Sequence, residues 1–437
     1  MNIIIAGAGR VGFNLARTLS IGHNVTVIDR NAEALHRLQE SLDILPVHGD
    51  IEDPQTYMKL IDKAADLFIA VTDLDEANIV STLIADDQVD VKRKIIRLRN
   101  EFFAKSSIRE KLSIDHAVFP LNLTSETVAM LLDYPRANNI KRFHITPYKL
   151  ISVRAETLEE PKVVEAENLS LVGIERNKVF FIPSDDTPVE PGDLVYLFGD
   201  EMKIRGLCQK LDAHAPRSIE RCVIFGAGDL GVSIAKRLIE QGIEVKLLDK
   251  NPQKCQSADE ALGGEAMTIS CKYGTAEIFE EEGLAYADMM IAATDNDEYN
   301  IIKCLEAKEH GIRKVVAVNN EREYYSLMHA LGIVVVRGPK MSAYNAILES
   351  IFSNHIVLER KFCGGRGTIF MRRIFEGSKR IGKKVKPLKE RDIRILLVRK
   401  NRIELLHEKI EVMEADLLVG FATEAMSPKL KVWFYGL

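Results

Sequence analysis

Two short glycine-rich stretches have the residue types and spacing that cradle a phosphate. "GAGRVG" at residues 7–12 follows the apolar run 2–6, and "GAGDLG" at residues 226–231 repeats it. In the pattern G-x-G-x-x-G the first glycine permits a tight turn, the second lets the backbone approach a pyrophosphate, and the third lets helix and strand pack closely. The following helix then points free N–H groups and its positive dipole end at the anion. The glycines that fit are Gly7, Gly9, Gly12, Gly226, Gly228 and Gly231.

An acidic residue ends the second apolar run after each glycine motif. Asp29 and Asp249 lie about 20 residues beyond their motifs, which is the spacing at which a carboxylate accepts hydrogen bonds from a ribose. The alternative is that Asp29 caps the helix that follows it. The combination of strand, glycine turn, helix and distal acid predicts a nucleotide site in each half of the chain.

Further contacts are expected at the carboxyl ends of neighbouring strands, where parallel α/β sheets bind their ligands. Asp50, the pair Thr72-Asp73 and Arg97 lie at or just beyond the ends of apolar runs in the first half. Thr72-Asp73 can cap a helix in addition to contacting a ligand, and the alternative for Arg97 is an ion pair at the sheet end. Lys272 stands where the first half has Asp50.

The two motifs differ in charge. Arg10 stands at the mouth of the first turn, where a guanidinium can bind a terminal phosphate, whereas Asp229 at the matching position would repel it. The alignment also places Ala317 opposite Arg97. We therefore expect the first site to take the more highly charged nucleotide, unless Arg10 is only a solvated residue of the first helical turn. Two unequal sites suit a sensor better than a catalyst.

The similarity between the halves continues well beyond the glycine motifs. Three segments of the first half align with three of the second: 7–31 with 226–251, 65–79 with 287–301, and 94–108 with 314–328. A period of about 220 residues exceeds that of any solenoid repeat. The pattern therefore indicates duplication of a whole domain.

Short apolar runs alternate with helical stretches in each duplicated segment, which is typical of a buried parallel sheet. In the first copy, strands are predicted at 2–6, 24–28, 43–47, 66–71, 94–98 and 115–119. We predict an α/β fold with two Rossmann-like, doubly wound parallel-sheet domains, each followed by a small β-rich α+β domain. In the second β-rich domain, "KIEVMEADLLVGF" is the counterpart of "VEPGDLVYLFG". The predicted domain bounds are 1–135, 140–212, 218–350 and 356–437, with a linker at 213–218.

The composition is that of an ordinary globular protein, with 46% hydrophobic and 28% charged residues and a net charge of −5. No nucleic-acid partner is indicated. The apolar runs are shorter than a bilayer span, and the first residues lack a signal peptide's basic region, so we expect a cytoplasmic protein. The basic run 360–394 is either a solvated face or a surface that approaches anionic lipid headgroups or a partner's acidic loops.

No catalytic or metal-binding pattern emerges from the remaining residues. The six cysteines are scattered without a C-x-x-C pair and are expected to be reduced and buried. The ten histidines are dispersed, and His116, His144 and His355 are interpreted as structural. Lipase, zinc-protease and Walker motifs are absent from the sequence. We therefore predict a nucleotide sensor that is not an enzyme; the alternatives are an NAD(P)-dependent oxidoreductase and a nucleotide-binding scaffold for another transporter.

Several longer motifs carry a more specific resemblance. These are "IIIAGAGRVG", "VTVIDRN", "HGD", "FIAVTDLDEANI", "IIRLRN" and "PVEPGDLVYLFG". Together with the tandem order, they make the chain resemble the TrkA-type subunits of bacterial Trk potassium-uptake systems, which are tandem RCK proteins. The resemblance implies a homotetrameric ring beneath a membrane Trk potassium-translocating subunit, peripheral on the cytosolic face of the inner membrane. It also implies gating by NAD(H), ATP or ADP.

By position, the resemblance and the motifs together assign the nucleotide contacts of both halves. In the first half they are Gly7, Ala8, Gly9, Arg10, Val11, Gly12, Asp29, Asp50, Thr72, Asp73 and Arg97. In the second half they are Gly226, Ala227, Gly228, Asp229, Leu230, Asp249, Thr294 and Asp295. The second half departs from the first at the positions of Arg10, Asp50 and Arg97, which makes its ligand a separate question.

Overall fold

The computed structural model describes most of the chain in side-chain detail. The described residues are 1–60, 64–105, 107–143, 145–164, 167–213, 218–271, 278–352 and 357–437. His144, His355, Lys272 and residues 214–217 of the predicted linker lie outside them. None of the described helices combines the length and apolar character needed to cross a bilayer.

The first segment of the chain forms a parallel sheet with helices between its strands. Its elements are β1 (Asn2–Ala6), α1 (Arg10–Leu19), β2 (Asn24–Asp29), α2 (Ala32–Ser41), β3 (Leu45–His48), α3 (Pro54–Met58), β4 (Ala64–Ala65), β5 (Leu67–Ala70), α4 (Asp75–Gln88), β6 (Asp90–Val91), β7 (Lys94–Arg97), α5 (Phe102–Lys105), α6 (Ile108–Lys111), β8 (His116–Val118) and α7 (Pro120–Asp133). The strand order is β3-β2-β1-β5-β7-β8, and β4 and β6 form a separate two-stranded sheet. The six predicted strands are confirmed to within two residues.

The next segment forms an antiparallel sheet. Its elements are β9 (Ala137–Phe143), β10 (Thr146–Arg154), β11 (Leu169–Arg176), β12 (Val179–Phe181), β13 (Leu194–Gly199) and α8 (Glu201–Leu211). The strand order is β12-β11-β13-β10-β9. The sheet begins at Ala137, before the predicted domain start at residue 140. The start of β9 was not predicted because β9 is an edge strand with many polar residues, which do not form an apolar run in the sequence.

The second parallel sheet repeats the arrangement of the first. Its elements are β14 (Arg221–Phe225), α9 (Asp229–Ile239), β15 (Glu244–Asp249), α10 (Pro252–Leu262), β16 (Met267–Ser270), α11 (Ile278–Glu281), β17 (Met289–Ala292), α12 (Asp297–Glu309), β18 (Lys314–Asn319), α13 (Tyr325–Ala330), β19 (Val334–Arg337) and α14 (Pro339–Phe352). The strand order is β16-β15-β14-β17-β18-β19, which corresponds strand for strand to the first sheet.

The last segment forms a second antiparallel sheet. Its elements are β20 (Val357–Phe362), β21 (Gly367–Arg373), β22 (Ile393–Arg399), β23 (Arg402–Leu405), β24 (Leu417–Thr423) and α15 (Ser427–Tyr435). The order β20-β21-β24-β22-β23 is that of the first antiparallel sheet, with β24 in the place of β13. The predicted equivalence of the two stretches that contain these strands is therefore confirmed.

The helix starts follow local signals in the sequence. Asn31 caps α2 by accepting hydrogen bonds from two backbone N–H groups, and Asn251 and Asn296 cap α10 and α12 in the same way through one N–H each. The central strands are buried along their whole length, which explains their unbroken apolar sequences. All six cysteines are buried and outside disulfides, as predicted.

The chain divides into two compact units that do not follow its order. The first comprises Met1–Glu126 and Arg337–Phe352, and the second comprises Thr127–Val336 and Ser353–Leu437. Helix α14 therefore lies in the first unit although it follows the second parallel sheet in the chain. The four domain bounds taken from the sequence remain a prediction.

Helix α14 packs directly on the helix that follows the first glycine motif. Ala343 and Ile347 share a buried cluster with Leu15 of α1. The hydroxyl of Tyr344 is hydrogen-bonded to that of Thr18 at 2.7 Å. The glycine helix of the first unit is thus supported by residues more than three hundred positions later in the chain.

Within the second unit, the two antiparallel sheets share one aromatic core. The rings of Phe198 and Phe421 lie 5.5 Å apart, and those of Phe180 and Phe362 lie 5.3 Å apart. These contacts join β13 to β24 and β12 to β20, and each tilted or edge-on pair adds to the apolar burial.

Many basic residues of the run 360–394 are bound within the second unit. Arg366 forms an ion pair with Glu175 at 2.7 Å, and Arg394 donates to Ser170 Oγ at 2.9 Å and pairs with Asp185. Three exposed basic residues of the run also have partners: Lys361 pairs with Glu424, Arg373 donates to Ile145 O, and Lys389 pairs with Glu408. The other exposed basic residues described along the run are Lys379, Lys383, Lys384, Lys386 and Arg391. Whether these approach a membrane or a partner remains a prediction.

Candidate functional site

In the first glycine turn, the backbone leaves no room for a side chain at Gly12 but leaves space beside Gly9. Gly7 has φ +112°, and its N–H donates to Ile28 O at 2.9 Å. A Cβ on Gly12 would lie 1.8 Å from the carbonyl oxygen of Gly7, so a side chain there is impossible without moving the backbone. A Cβ on Gly9 would have no described atom within 4 Å apart from those of its two chain neighbours. The fold therefore requires Gly12, whereas the space above Gly9 is open to a ligand.

The carboxylate of Asp29 braces this turn against the end of β2. Its two oxygens accept the backbone N–H groups of Ala8 at 2.6 Å and Asn31 at 2.7 Å. Because Asn31 caps α2, the alternative that Asp29 is the cap is wrong. A carboxylate has about four acceptor sites, so Asp29 keeps capacity for a ribose hydroxyl.

A fully buried asparagine, Asn78, joins the loop after β5 to the end of β7. Its Oδ1 accepts from the N–H and the hydroxyl of Thr72, at 2.9 and 2.7 Å. Its Nδ2 donates to the carbonyls of Thr72 and Arg97, at 3.0 and 2.9 Å. Asn78 stands in the motif "FIAVTDLDEANI", but no role for it was predicted; the available signal was a polar side chain within a helix that faces the sheet.

Arg97 and Asp73 form the ion pair that the sequence left as an alternative. The buried guanidinium of Arg97 donates from Nη1 to Asp73 Oδ1 at 2.8 Å and to Thr72 O at 3.1 Å. Among the described residues its buried Nε has no acceptor. Burial raises the pKa of Asp73, but the hydrogen bond from Arg97 and the charges of Arg97, Lys340 and Arg99 outweigh it and hold that pKa below its ordinary value. Lys340 belongs to α14, so this helix contributes charge to the site.

The other predicted residues of the first half are arranged around these contacts. Arg10 is the exposed first residue of α1, and Val11 is buried beneath it. Asp50 is exposed in the loop after β3, where its Oδ1 accepts the N–H of Glu52 at 2.9 Å. No hydrogen bond described in the structure joins Asp50 to the glycine turn.

The second half reproduces the turn almost atom for atom. Gly226 also has φ +112°, and a Cβ on Gly231 would lie 1.8 Å from its carbonyl oxygen. Asp249 accepts from the N–H groups of Ala227 and Asn251, each at 2.9 Å.

The loop after β17 repeats the buried asparagine contacts of the first half. The side chain of Asn300 accepts from the hydroxyl of Thr294 at 2.6 Å and donates to its carbonyl at 3.0 Å. Asp229, Leu230 and Asp295 complete the predicted set: Asp229 and Asp295 are exposed and Leu230 is half-buried.

The structure shifts the alignment between the halves by one residue along strand β18. Asn78 donates to the carbonyl of Arg97, and Asn300, its counterpart, donates to the carbonyl of Val318 at 3.0 Å. Val318, and not Ala317, is therefore the counterpart of Arg97. The pairing of β17 with β18 is shifted by one residue relative to that of β5 with β7, which the sequence did not reveal. The second site still lacks this cation, because valine is uncharged.

Lys254 lies beside the second glycine turn, a placement that was not predicted from the sequence. It is the third residue of α10, and its Nζ lies 4.0 Å from the position that a Cβ on Gly228 would occupy. The third residue of α2 in the first half is Ala34. A lysine in a first helical turn normally indicates a solvated side chain, so no sequence signal pointed to it. The second turn thus has a cation that the first turn lacks.

The chain matches known families over most of its length. The family model of the TrkA-N domain matches residues 3–120 and 222–339, together more than half of the chain, and that of the TrkA-C domain matches residues 154–212. The Trk system potassium uptake protein TrkA homolog of Archaeoglobus fulgidus is 28% identical over 438 residues, covering 97% of each chain. TrkA of Vibrio alginolyticus is 29% identical over 374 residues, covering 82% of this chain and 80% of its own.

Solved structures share the fold at low sequence identity. A crystal structure of the GsuK RCK domain has a TM-score of 0.59 and 17% identity, covering 100% of this chain and 95% of its own. The GsuK channel bound to NAD has a TM-score of 0.60 and 18% identity, covering 100% of this chain and 79% of its own. The duplicated α/β architecture is therefore a fold that this chain shares with the GsuK RCK domain.

We predict that Asn78→Ala lowers the free energy of unfolding by about 3 kcal/mol, because it leaves buried backbone groups of Thr72 and Arg97 without partners. Asn300→Ala should have a similar cost in the second unit. Urea unfolding of the full chain measures both. Asn14→Ala is the control, because the carboxamide of Asn14 makes exposed hydrogen bonds on the surface of α1: it donates to Arg10 O at 2.9 Å and accepts from Arg17 at 3.2 Å. A loss for Asn78→Ala no larger than that of this control would contradict the assignment.

Proposed function

This chain belongs to the TrkA-type regulatory subunits of Trk potassium-uptake systems, and we propose that it gates a membrane Trk potassium transporter by binding nucleotides at two unequal glycine turns. The observation that carries the proposal is the contrast between Gly12, which the fold needs, and Gly9, which has open space. A glycine that no protein contact requires is best explained by close approach of a ligand to the backbone.

The residues at the first turn fit an adenine nucleotide such as NAD(H), ATP or ADP. The backbone around Gly9 and the start of α1 offers N–H donors to a pyrophosphate, and Asp29 offers acceptor capacity to a ribose. The buried Nε of Arg97, which has no acceptor within the described part of the chain, can donate to a bound nucleotide. The GsuK channel has been solved bound to NAD and bound to ADP, which supports nucleotide binding by this fold.

The two turns differ in how they present charge to a phosphate. The first turn has Arg10 at its mouth and the pair Arg97–Asp73 nearby. The second has Asp229 at the mouth and Lys254 above Gly228, so its phosphate contact relies on a lysine from the next helix. We therefore assign nucleotides with a terminal phosphate to the first turn, and to the second a nucleotide bound through its inner phosphates.

A nucleotide at the first turn has a physical route to the rest of the chain. The turn leads directly into α1, α1 packs on α14, and Lys340 of α14 acts on Asp73. In the chain, helix α14 follows strand β19 and precedes strand β20. A ligand shifts a conformational equilibrium only through its different affinity for two shapes. We propose that the position of α14 distinguishes these shapes, in a homotetrameric ring docked on the cytosolic face of the membrane Trk protein.

We predict that Gly9→Ala folds normally but binds nucleotide at the first turn about 10- to 150-fold more weakly. Gly9 has φ −66°, which alanine adopts without strain, and its methyl group would occupy the space of the phosphate contacts. Isothermal titration of ATP, ADP and NADH into the full chain measures the change. Gly228→Ala blocks the second turn in the same way, so titration of that variant reports on the first site. Unchanged affinity in both variants would contradict binding at these turns.

The same variants test regulation when the chain is reconstituted with a membrane Trk protein in vesicles. Nucleotide-dependent rubidium flux should be lost in Gly9→Ala while the variant still binds the transporter. Flux that responds to nucleotide equally in the variant and the native protein would place the sensor elsewhere.

We predict that Arg10→Ala reduces the preference for ATP over ADP by about 10- to 150-fold, because a charged hydrogen bond to the terminal phosphate contributes about 1.5–3 kcal/mol. Competition titrations of ATP against ADP give the ratio directly. Arg17→Ala, on the exposed side of the same helix, is the matched control. An unchanged ratio in Arg10→Ala would remove Arg10 from the recognition of ATP.

A further inference from the structure

A cavity lies in the second unit, away from the glycine turn of that unit. Its volume is about 540 Å³, within the range of small-molecule sites. It is lined by the start of β9, the end of β10, the end of α8, and the loop from α12 into β18. Lys314 is the first residue of β18, whereas the glycine turn follows the carboxyl end of β14. In a parallel sheet these are opposite edges, so the cavity is separate from the nucleotide site.

The cavity is strongly basic. The five basic residues in its lining are Arg136, Arg154, Lys308, Arg313 and Lys314. Only Glu156 and Asp212 are acidic. An excess of positive charge around a concave, partly desolvated space attracts anions and strengthens their hydrogen bonds.

Lys314 is the buried centre of this charge. Lys314 is 6% exposed, and its Nζ donates to the carbonyl oxygen of Ala137. A protonated amine has three N–H donors, and the described residues offer this one only a single acceptor. Burial lowers the pKa of Lys314 to about 7, an effect that the charge of Asp212 only partly offsets. The protein thus holds a buried amine at the point where an acceptor is missing.

We propose that this cavity binds a small organic phosphate, whose oxygens accept hydrogen bonds from Lys314 and lie within the field of Arg136 and Arg313. A phosphate dianion suits several converging cations better than a carboxylate, which carries a single charge. The bound molecule would contact both the first antiparallel sheet and the second parallel sheet. It would therefore stabilise the arrangement of these two sheets within the second unit.

We expect the affinity of the cavity for an anion to fall as pH rises. Free Lys314 is mostly protonated at pH 6 and mostly neutral at pH 8, whereas a bound anion favours the protonated form. Lys314 must therefore take up a proton when the anion binds at pH 8, which weakens binding about tenfold relative to pH 6. The other charged groups that line the space are Arg136, Arg154, Glu156, Lys308, Asp212 and Arg313, and Cys208 lies behind them on α8. Ordinary carboxylates, guanidinium groups and amines do not change charge over this range.

Sulfate is the appropriate first probe, because its own charge is constant between pH 6 and pH 8. Isothermal titration into the full chain should show binding that weakens about tenfold over this range. Lys314→Met should abolish this component. Lys94→Met is the matched control, since Lys94 is also a buried first residue of a strand but pairs with Asp86 at 2.7 Å. It should leave sulfate binding unchanged.

Three results would overturn the proposal. One is a sulfate affinity of the native chain that is independent of pH, a test that remains decisive if Lys314→Met fails to fold. Another is equal loss of binding in Lys94→Met and Lys314→Met. The third is ribose 5-phosphate that binds no more tightly than sulfate, which would exclude an organic phosphate as the ligand.

Discussion

The close contact between Gly12 and the carbonyl of Gly7 is the constraint on which the candidate nucleotide site depends. It brings the start of α1 against the end of β1 and leaves the N–H groups of the first helical turn pointing out of the sheet. The carboxylate of Asp29 fixes the same turn from the neighbouring strand. Because these contacts are made by the protein alone, the turn is shaped before any ligand arrives. Preorganisation of this kind reduces the cost of ordering on binding.

The second feature that organises the molecule is the placement of α14. A helix that follows the second parallel sheet in the chain packs on the glycine helix of the first unit and brings Lys340 toward Asp73. The charges that act on the candidate site of the first half therefore include a residue of the second half. The duplication thus supplies more than a second copy of a binding turn, since it supplies part of the first one's electrostatic surroundings.

The sequence predicted the parts that local rules determine. Buried parallel strands are apolar throughout, and glycine turns and distal acids have fixed spacing, so the strands and both turns were located correctly. Contacts set by tertiary packing were not predictable. The place of α14, the shift that aligns Val318 with Arg97, and the approach of Lys254 to Gly228 all depend on how elements meet in space. Asn78 was visible as a motif residue, but its four hydrogen bonds required the structure.

The central claim is that the glycine turns hold intact nucleotides. Crystals of the full chain grown with ATP or NADH test it most directly. We expect electron density for an unhydrolysed nucleotide with its phosphates above Gly9, within hydrogen-bonding distance of the first backbone N–H groups of α1. Well-ordered crystals saturated with these compounds but lacking nucleotide density at both turns would contradict the claim.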